Sequence, residues 1–332
     1  MGKKLTKEKS KKLNLIGIAL LFGATLAWGT SFFILKETIS EVPRFFVITI
    51  RFLLASGGLA LIFINKMKGM TKKTFIRGVV LGTLLTLAYV TQTIGLENTT
   101  PGRNAFLTSS YCVMCPFLLW ILFSKKPKLY HVVSAVLCIV GIGMVALSGT
   151  DGAVTNVLLG DGLTLVSAIF FGLQIVYIDK FQKEGHDAIR LLVPELLTAG
   201  VLHLILTLVF ELPSGIENYA LTMEQALKIG YLTIACTLFA QFAQIIGQKF
   251  TSANQSAIIL SLEAVFGVLF SVLFANEQLT ALIVCGFVII FIAIMISELK
   301  LDPIKLFCVK KNNLKVVASD TDSSGDTVSG EK

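Results

Sequence analysis

Apolar residues in this chain come in long uninterrupted runs rather than in an alternating pattern. A helix needs about 20 mostly apolar residues to cross a bilayer. Ten stretches qualify, bounded by charged residues and turn signals: residues 15–35, 45–64, 78–96, 104–123, 131–149, 160–178, 191–210, 229–248, 254–275 and 279–297. Most hold no ionisable residue. The exceptions are Arg51 in the second stretch, Glu195 and His203 in the seventh and Glu263 in the ninth, with His131 at the edge of the fifth. The pattern predicts an all-α integral membrane fold of ten transmembrane helices with short connections. The charge-free run from Leu13 to Leu35 outlasts the core of a secretory signal, about 7–15 residues. The basic start MGKKLTKEKSKK is therefore expected to be a cytoplasmic arm (1–14) leading into an uncleaved first helix. The stretch 300–332 ends in SDTDSSGDTVSGEK, and this small, polar composition predicts a disordered cytoplasmic tail.

Composition narrows the class further. The chain is 54% hydrophobic and 15% charged, against about 25% charged in soluble domains, and its mean hydropathy is +0.78. A disordered chain, a fibrous repeat and an ordinary cytosolic enzyme are all excluded. The net charge is +8, which in a soluble protein would raise nucleic acid as a partner. Here 24 of the 29 Lys and Arg fall in the N-terminal arm, in loops 65–77, 124–130 and 179–190, at Lys249 and in the tail, all on one side of a ten-helix bundle. The opposite loops carry Glu37, Glu41, Glu97, Asp151, Asp161, Glu211, Glu217, Glu224 and Glu277. The positive-inside rule then puts both termini in the cytoplasm. The expected partners are the lipid bilayer and a small-molecule substrate, with no nucleic acid; the chain could act as a monomer or a homodimer. Five of the six Cys (Cys112, Cys115, Cys138, Cys236, Cys285, with Cys308 the exception) lie in apolar runs, where Cys behaves as a small hydrophobe. No disulfide framework is expected. The Cys112-x-x-Cys115 spacing lacks a second pair or a nearby His, so no metal site is expected either.

The chain also repeats itself. A shift of 152 residues pairs Gly78/Gly230, Ala88/Ala240, Gln92/Gln244, Ile94/Ile246, Gly95/Gly247, Thr99/Thr251, Ala105/Ala257, Ser109/Ser261 and Val113/Val265 without a gap. A shift of 143 pairs Gly17/Gly160, Leu20/Leu163 and Gly29/Gly172. Apolar composition alone does not readily pair a glutamine with a glutamine inside a span. Residues 15–149 and 160–298 are thus expected to be two copies of one five-helix unit. Because five is odd, the second copy starts on the opposite side of the membrane. That inverted-topology repeat is the architecture of many secondary transporters, which rock between two near-equivalent packings.

Particular residues then resemble a known family. The first helix carries AWGTSFFILK (Ala27 to Lys36) and the second IRFLLAS (Ile50 to Ser56). The region of the third and fourth reads IGLENTTPGRNAFLTSSYCVMCPFL, and its second copy LSLEAVFGVLFSVLFANEQLT. Across about residues 13–298 the chain resembles the drug/metabolite transporter superfamily, specifically its ten-helix EamA-type members. The resemblance implies a bundle that exports small metabolites such as amino acids, or sometimes drugs, from the plasma membrane, and needs no cofactor. The Lys-rich loops fit a bacterial cell. The four-helix small multidrug relatives carry a proton-binding Glu in their first helix; this first helix has no acid, so a proton site would lie elsewhere.

Polar groups in hydrocarbon are costly and face the bundle interior or a wet cavity. Gln241, Gln244 and Gln248 share one face of the eighth helix at i, i+3 and i+7, and Tyr89 and Gln92 are the register mates of the first two. With Trp28, Tyr111 and Gln174 they are the expected lining of a central cavity; the competing reading is plain interhelical hydrogen bonding, worth about 0.6 kcal/mol on average. Glu263, mid-span, can take up a proton or hold an amine, or serve as a structural acid. Arg51 can snorkel outward, pair with an acid or bind a substrate carboxylate; the resemblance favours a structural or gating role. His203 is expected to pack through a hydrogen bond, with a proton relay as the alternative. Glu195, behind Pro194, is expected in the first turn of its helix. Pro116 removes one backbone hydrogen bond and is the expected hinge. Other classes fit less well. The three His are far apart and no HExxH, DxxD or phosphate loop occurs, which argues against a membrane-embedded enzyme. No filter sequence supports a channel or receptor.

Overall fold

The structure, a computed structural model, describes residues 2–147, 156–215, 219–251 and 253–299; the tail from Lys300 and the side chain of Gln248 lie outside the described residues. Among the described residues the chain is helical, with no strand. The helices are α1 (Gly2–Ile39), α2 (Arg44–Ile62), α3 (Lys72–Glu97), α4 (Pro101–Ser109 and Tyr111–Phe123), α5 (Leu129–Leu147), α6 (Val157–Lys183), α7 (Ala188–Leu206), α8 (Met223–Thr233 and Ala240–Phe250), α9 (Ala253–Phe274) and α10 (Ala281–Leu299). By length and composition seven described segments are long and apolar enough to cross a membrane: Lys12–Ile39, Arg44–Ile62, Lys72–Glu97, Pro101–Phe123, Val157–Lys183, Ala188–Glu211 and Met223–Gly247. Three shorter apolar helices, Leu129–Val145, Leu262–Phe274 and Ala281–Ser297, accompany them. Large apolar side chains such as Leu61, Ile121, Leu147 and Leu158 point outward, as a lipid-facing surface requires.

Side-chain caps decide where several helices start, and the capped helices start earlier than the apolar runs predict. Thr71 Oγ1 accepts the Thr74 N–H at 3.2 Å, so α3 begins at Lys72 rather than near 78. The Asp187 carboxylate accepts the N–H groups of Ile189 (3.0 Å) and Arg190 (3.3 Å), so α7 begins at Ala188. A capped first turn is free to be polar, which is why an apolar window misses it. The consequence matters for Glu195: it sits well inside α7, 1% exposed, and not in a first turn.

Three helices depart from regular geometry. In α4 the interruption is at Ser110, whose hydroxyl donates back to the Leu107 carbonyl at 2.6 Å, a contact that bends helices. Pro116 lies inside the continuous piece Tyr111–Phe123, so the break stands six residues before the expected hinge. A π turn at Thr207–Glu211 extends α7, and another, Ile234–Phe239, joins the two pieces of α8.

Long-range contacts set the helix directions. Lys36, near the end of α1, donates to the Thr99 carbonyl after α3. Thr99 in turn donates to Asp161, near the start of α6, at 2.7 Å. The end of α1 and the start of its register mate α6 therefore share one end of the bundle. The two copies also interleave. One apolar core joins α1, α2 and α3 to α7 and α8; the other joins α4 and α5 to α6, α9 and α10.

Helices in lipid are held by close packing rather than by a hydrophobic drive, and the repeated glycines serve that packing. A Cβ on Gly95 would lie 2.9 Å from the Gly160 carbonyl oxygen, and one on Gly17 would lie 3.0 Å from the Gly247 carbonyl oxygen. Gly17 and Gly160 are register mates, as are Gly95 and Gly247. The repeated glycines thus form two equivalent contacts, α1 on α8 and α6 on α3.

Candidate functional site

Between the two copies lies a cavity of about 60 Å³ lined by side chains of α1, α2, α3, α4, α6, α8 and α9. Its wall is built from register pairs. Trp28/Phe171, Ser31/Gln174 and Phe32/Ile175 are related by the shift of 143; Tyr89/Gln241, Gln92/Gln244 and Tyr111/Glu263 by the shift of 152. All twelve residues line the same space, with Leu35, Arg51, Leu96 and Thr108 completing it.

Of the residues expected from sequence, the fold gathers Trp28, Tyr89, Gln92, Tyr111, Gln174, Gln241, Gln244, Arg51 and Glu263 around this one cavity. Gln248 is outside the described side chains. His203 and Pro116 do not line it. His203 is fully buried behind the wall: its Nδ1 bonds the Ala199 carbonyl at 2.8 Å, and its ring packs between Phe45 and Phe52. Ser31, Phe32, Phe171 and Ile175 were not expected, although applying the 143 shift to Trp28 and Gln174 reaches Phe171 and Ser31. Thr108 had no such signal.

The π turn in α8 explains how two of these side chains are held. An i→i+5 turn displaces backbone groups from the regular ladder and recurs at functional sites. Here the Cys236 carbonyl accepts the Trp28 indole N–H at 3.0 Å. The Thr237 hydroxyl donates to the Leu232 carbonyl at 2.9 Å and accepts from Arg51 Nε at 3.2 Å. The Arg51 guanidinium also stands 5.6 Å from the Tyr89 ring centroid, a cation–π contact of roughly 0.5–2 kcal/mol. Tyr89 is wedged edge-on against Phe52 (4.8 Å) and Phe171 (5.6 Å). Arg51 is 1% exposed. Among the described residues it has no acidic partner, and its Nη1 has no hydrogen-bond partner.

The amides are partly committed. Gln92 Nε2 donates to Thr108 Oγ1 at 3.0 Å, and Gln174 Nε2 donates to the buried Glu195 carboxylate. Glu195 thus supports the wall from behind through Gln174. Glu263 is 9% exposed and lines the cavity. Among the described residues its carboxyl has no hydrogen-bond or ion-pair partner.

At one end of the bundle, by contrast, charge is matched to charge. Arg103 and Asp161 form a buried ion pair, and Arg44 pairs with Glu97. Lys36 Nζ donates to the carbonyls of Leu96 and Thr99 (2.6 and 3.2 Å) and of Glu97 (2.8 Å), closing the end of α3. Pro43 gives α2 no side-chain cap; Glu211 supplies it from α7, accepting the N–H groups of Phe45 (2.8 Å) and Phe46 (3.0 Å). Glu277 accepts from the Gly102 N–H at 2.9 Å and from the Thr100 and Ser271 hydroxyls. The opposite, lysine-rich end holds lighter contacts: Thr74 to His186 Nδ1 at 2.8 Å, Arg77 to Glu184 at 3.1 Å and Arg190 to the Lys66 carbonyl at 2.9 Å.

Comparison with known proteins agrees with this arrangement. The EamA-like transporter family matches the chain twice, over residues 15–147 and 158–299. An uncharacterized transporter of Archaeoglobus fulgidus is 31% identical over 293 residues, spanning 86% of this chain and 85% of the relative. The uncharacterized transporter YoaV of Bacillus subtilis is 22% identical, spanning 83% of this chain and 94% of the relative. A crystal structure 16% identical in sequence superposes with a TM-score of 0.62, covering 87% of this chain and 97% of its own, and so shares the fold. With two family matches, this level of identity and a helical bundle apolar on its outer surface, the chain belongs to the EamA-like transporters of the drug/metabolite transporter superfamily and is a multi-pass membrane transporter.

Proposed function

We propose that the chain is a secondary transporter that exports a small metabolite, an amino acid or a related compound, across a bacterial plasma membrane by alternating access. In this reading ten helices cross the bilayer as two inverted five-helix repeats. Both termini and the lysine-rich end are cytoplasmic, and the acid-rich end faces outward. The observation that carries the reading is the cavity wall: six register pairs, one member from each copy, around one space. Two equivalent halves meeting at a polar and aromatic cavity can exchange which half opens, and a solute held at the axis is then passed from one side to the other. The cavity, about 60 Å³, is far below the ~300–1,000 Å³ of small-molecule pockets. Loading a solute of that size therefore requires the halves to part. Indole, phenol and amide groups suit a solute with both apolar and polar parts, and Glu263 is the acid through which a proton gradient would act.

Counterflow in liposomes tests the reading. A pooled panel of amino acids and related amines is loaded inside, with and without a pH gradient, and Glu263→Gln runs in parallel. Saturable exchange of one solute class is the expected result. Conductance that does not saturate would indicate a channel, and chemical turnover without flux an enzyme.

A further inference from the structure

Two ionisable side chains of opposite sign face this one cavity, and among the described residues neither has an ionic partner. Arg51 is held in place by Thr237 and Tyr89, yet neither contact offsets its charge, and Nη1 is left without a partner. Glu263 sits on the α9 side of the same space with no partner among the described residues. They are not each other's partner either: no ion pair joins them. An uncompensated charge in a low-dielectric interior is expensive, and inside a membrane it marks a solute or ion pathway. The chain satisfies comparable charges elsewhere, as Arg103–Asp161 shows. Arg51 presents a planar fork of N–H donors that matches a carboxylate in two-point geometry. Glu263, when ionised, presents only acceptors, which match an ammonium.

We propose that Arg51 anchors the carboxylate and Glu263 the ammonium of the transported solute, so that the cavity selects small zwitterions over simple amines and simple acids. This rests on the reading of the cavity as the substrate site. A zwitterion satisfies both side chains at once and adds no net charge to the closed cavity. A lone amine leaves Arg51 unmatched, and a lone carboxylic acid leaves Glu263 unmatched. Tyr89, in contact with both Arg51 and Phe171, forms part of the wall against which the rest of the solute lies.

The test uses the two tryptophans. Trp28 lines the cavity, while Trp120 is on the exposed outer surface, so Trp120→Phe in the full-length protein leaves one reporter inside the site. In lipid nanodiscs, Trp28 emission is titrated with three matched probes: leucine, its decarboxylated amine isoamylamine, and the deaminated acid 4-methylpentanoate, and then with the phenylalanine series. The expected result is a saturable change with the amino acid at an affinity at least about tenfold better than with either partner probe, since losing one charged hydrogen-bonded contact costs about that much. Arg51→Gln then weakens the amino acid about tenfold and leaves the amine unchanged; Glu263→Gln weakens the amino acid and leaves the acid unchanged. Arg51→Lys, which keeps the charge and loses the fork, falls between and covers the case in which Arg51→Gln does not fold. Equal affinity for all three probes overturns the proposal while leaving the cavity as a solute site. Amino-acid affinity unaltered in both Arg51 variants overturns it as well. No saturable change with any probe in folded protein overturns the proposal together with the amino-acid reading.

Discussion

The acid-rich end of the bundle and the central cavity bury charges in similar surroundings and treat them differently. At the acid-rich end Arg103 faces Asp161, Lys36 closes the α3 carbonyls, and Glu211 and Glu277 cap helices that begin without a side-chain cap of their own or with only one. In the cavity Arg51 and Glu263 have no ionic partner among the described residues. The difference separates two uses of a buried charge. One that the protein satisfies fixes helices relative to one another. One left facing a space is available to whatever enters it.

The largest expected effect comes from breaking a satisfied pair. Arg103→Leu strands Asp161 in the interior and should cost about 3–5 kcal/mol, seen as a loss of thermal stability in detergent. Replacing both partners with Leu should recover most of that loss, because no charge is then stranded. If the double variant is as unstable as the single, the pair is not what holds that end.

Next comes packing beside the cavity. Gly95→Val pushes a side chain against the Gly160 carbonyl and Thr164 and should cost about 1–3 kcal/mol. The mate substitution Gly247→Val meets first the flexible Leu21 side chain and should cost less, so the two halves can be ranked in one unfolding assay. Lys36→Met should cost about 1–2 kcal/mol through the loss of its charged hydrogen bonds, again by thermal unfolding.

The smallest effect on stability should come from the cavity charges. Arg51→Gln loses the Thr237 and Tyr89 contacts but also relieves a buried charge, and Glu263→Gln strands no partner among the described residues, so each should change stability by less than about 1 kcal/mol net while counterflow falls sharply. A loss of stability with Arg51→Gln as large as with Arg103→Leu would erase the distinction between the two regions.

Much of this was legible in the chain. Apolar runs record the free energy of placing each segment in hydrocarbon, a local property, so nearly every helix could be located, though not its capped polar ends. The expected start of the seventh helix near 191 misplaced Glu195, because Asp187 caps α7 at Ala188. The hinge expected at Pro116 competes with a break at Ser110, and periodicity carries no trace of that break.

The sequence by itself determined the helical membrane class, the duplication and, through the two register shifts, which positions are equivalent. Those follow from composition and self-similarity, which need no coordinates. Tertiary structure alone decided which charges are matched. Arg103 with Asp161, Glu211 with the start of α2 and Glu277 with Gly102 join residues 58, 165 and 175 positions apart, over distances where a shift of one ångström makes or removes the bond. It also decided that the register pairs meet around one cavity, because equivalence along a chain is not by itself adjacency in space.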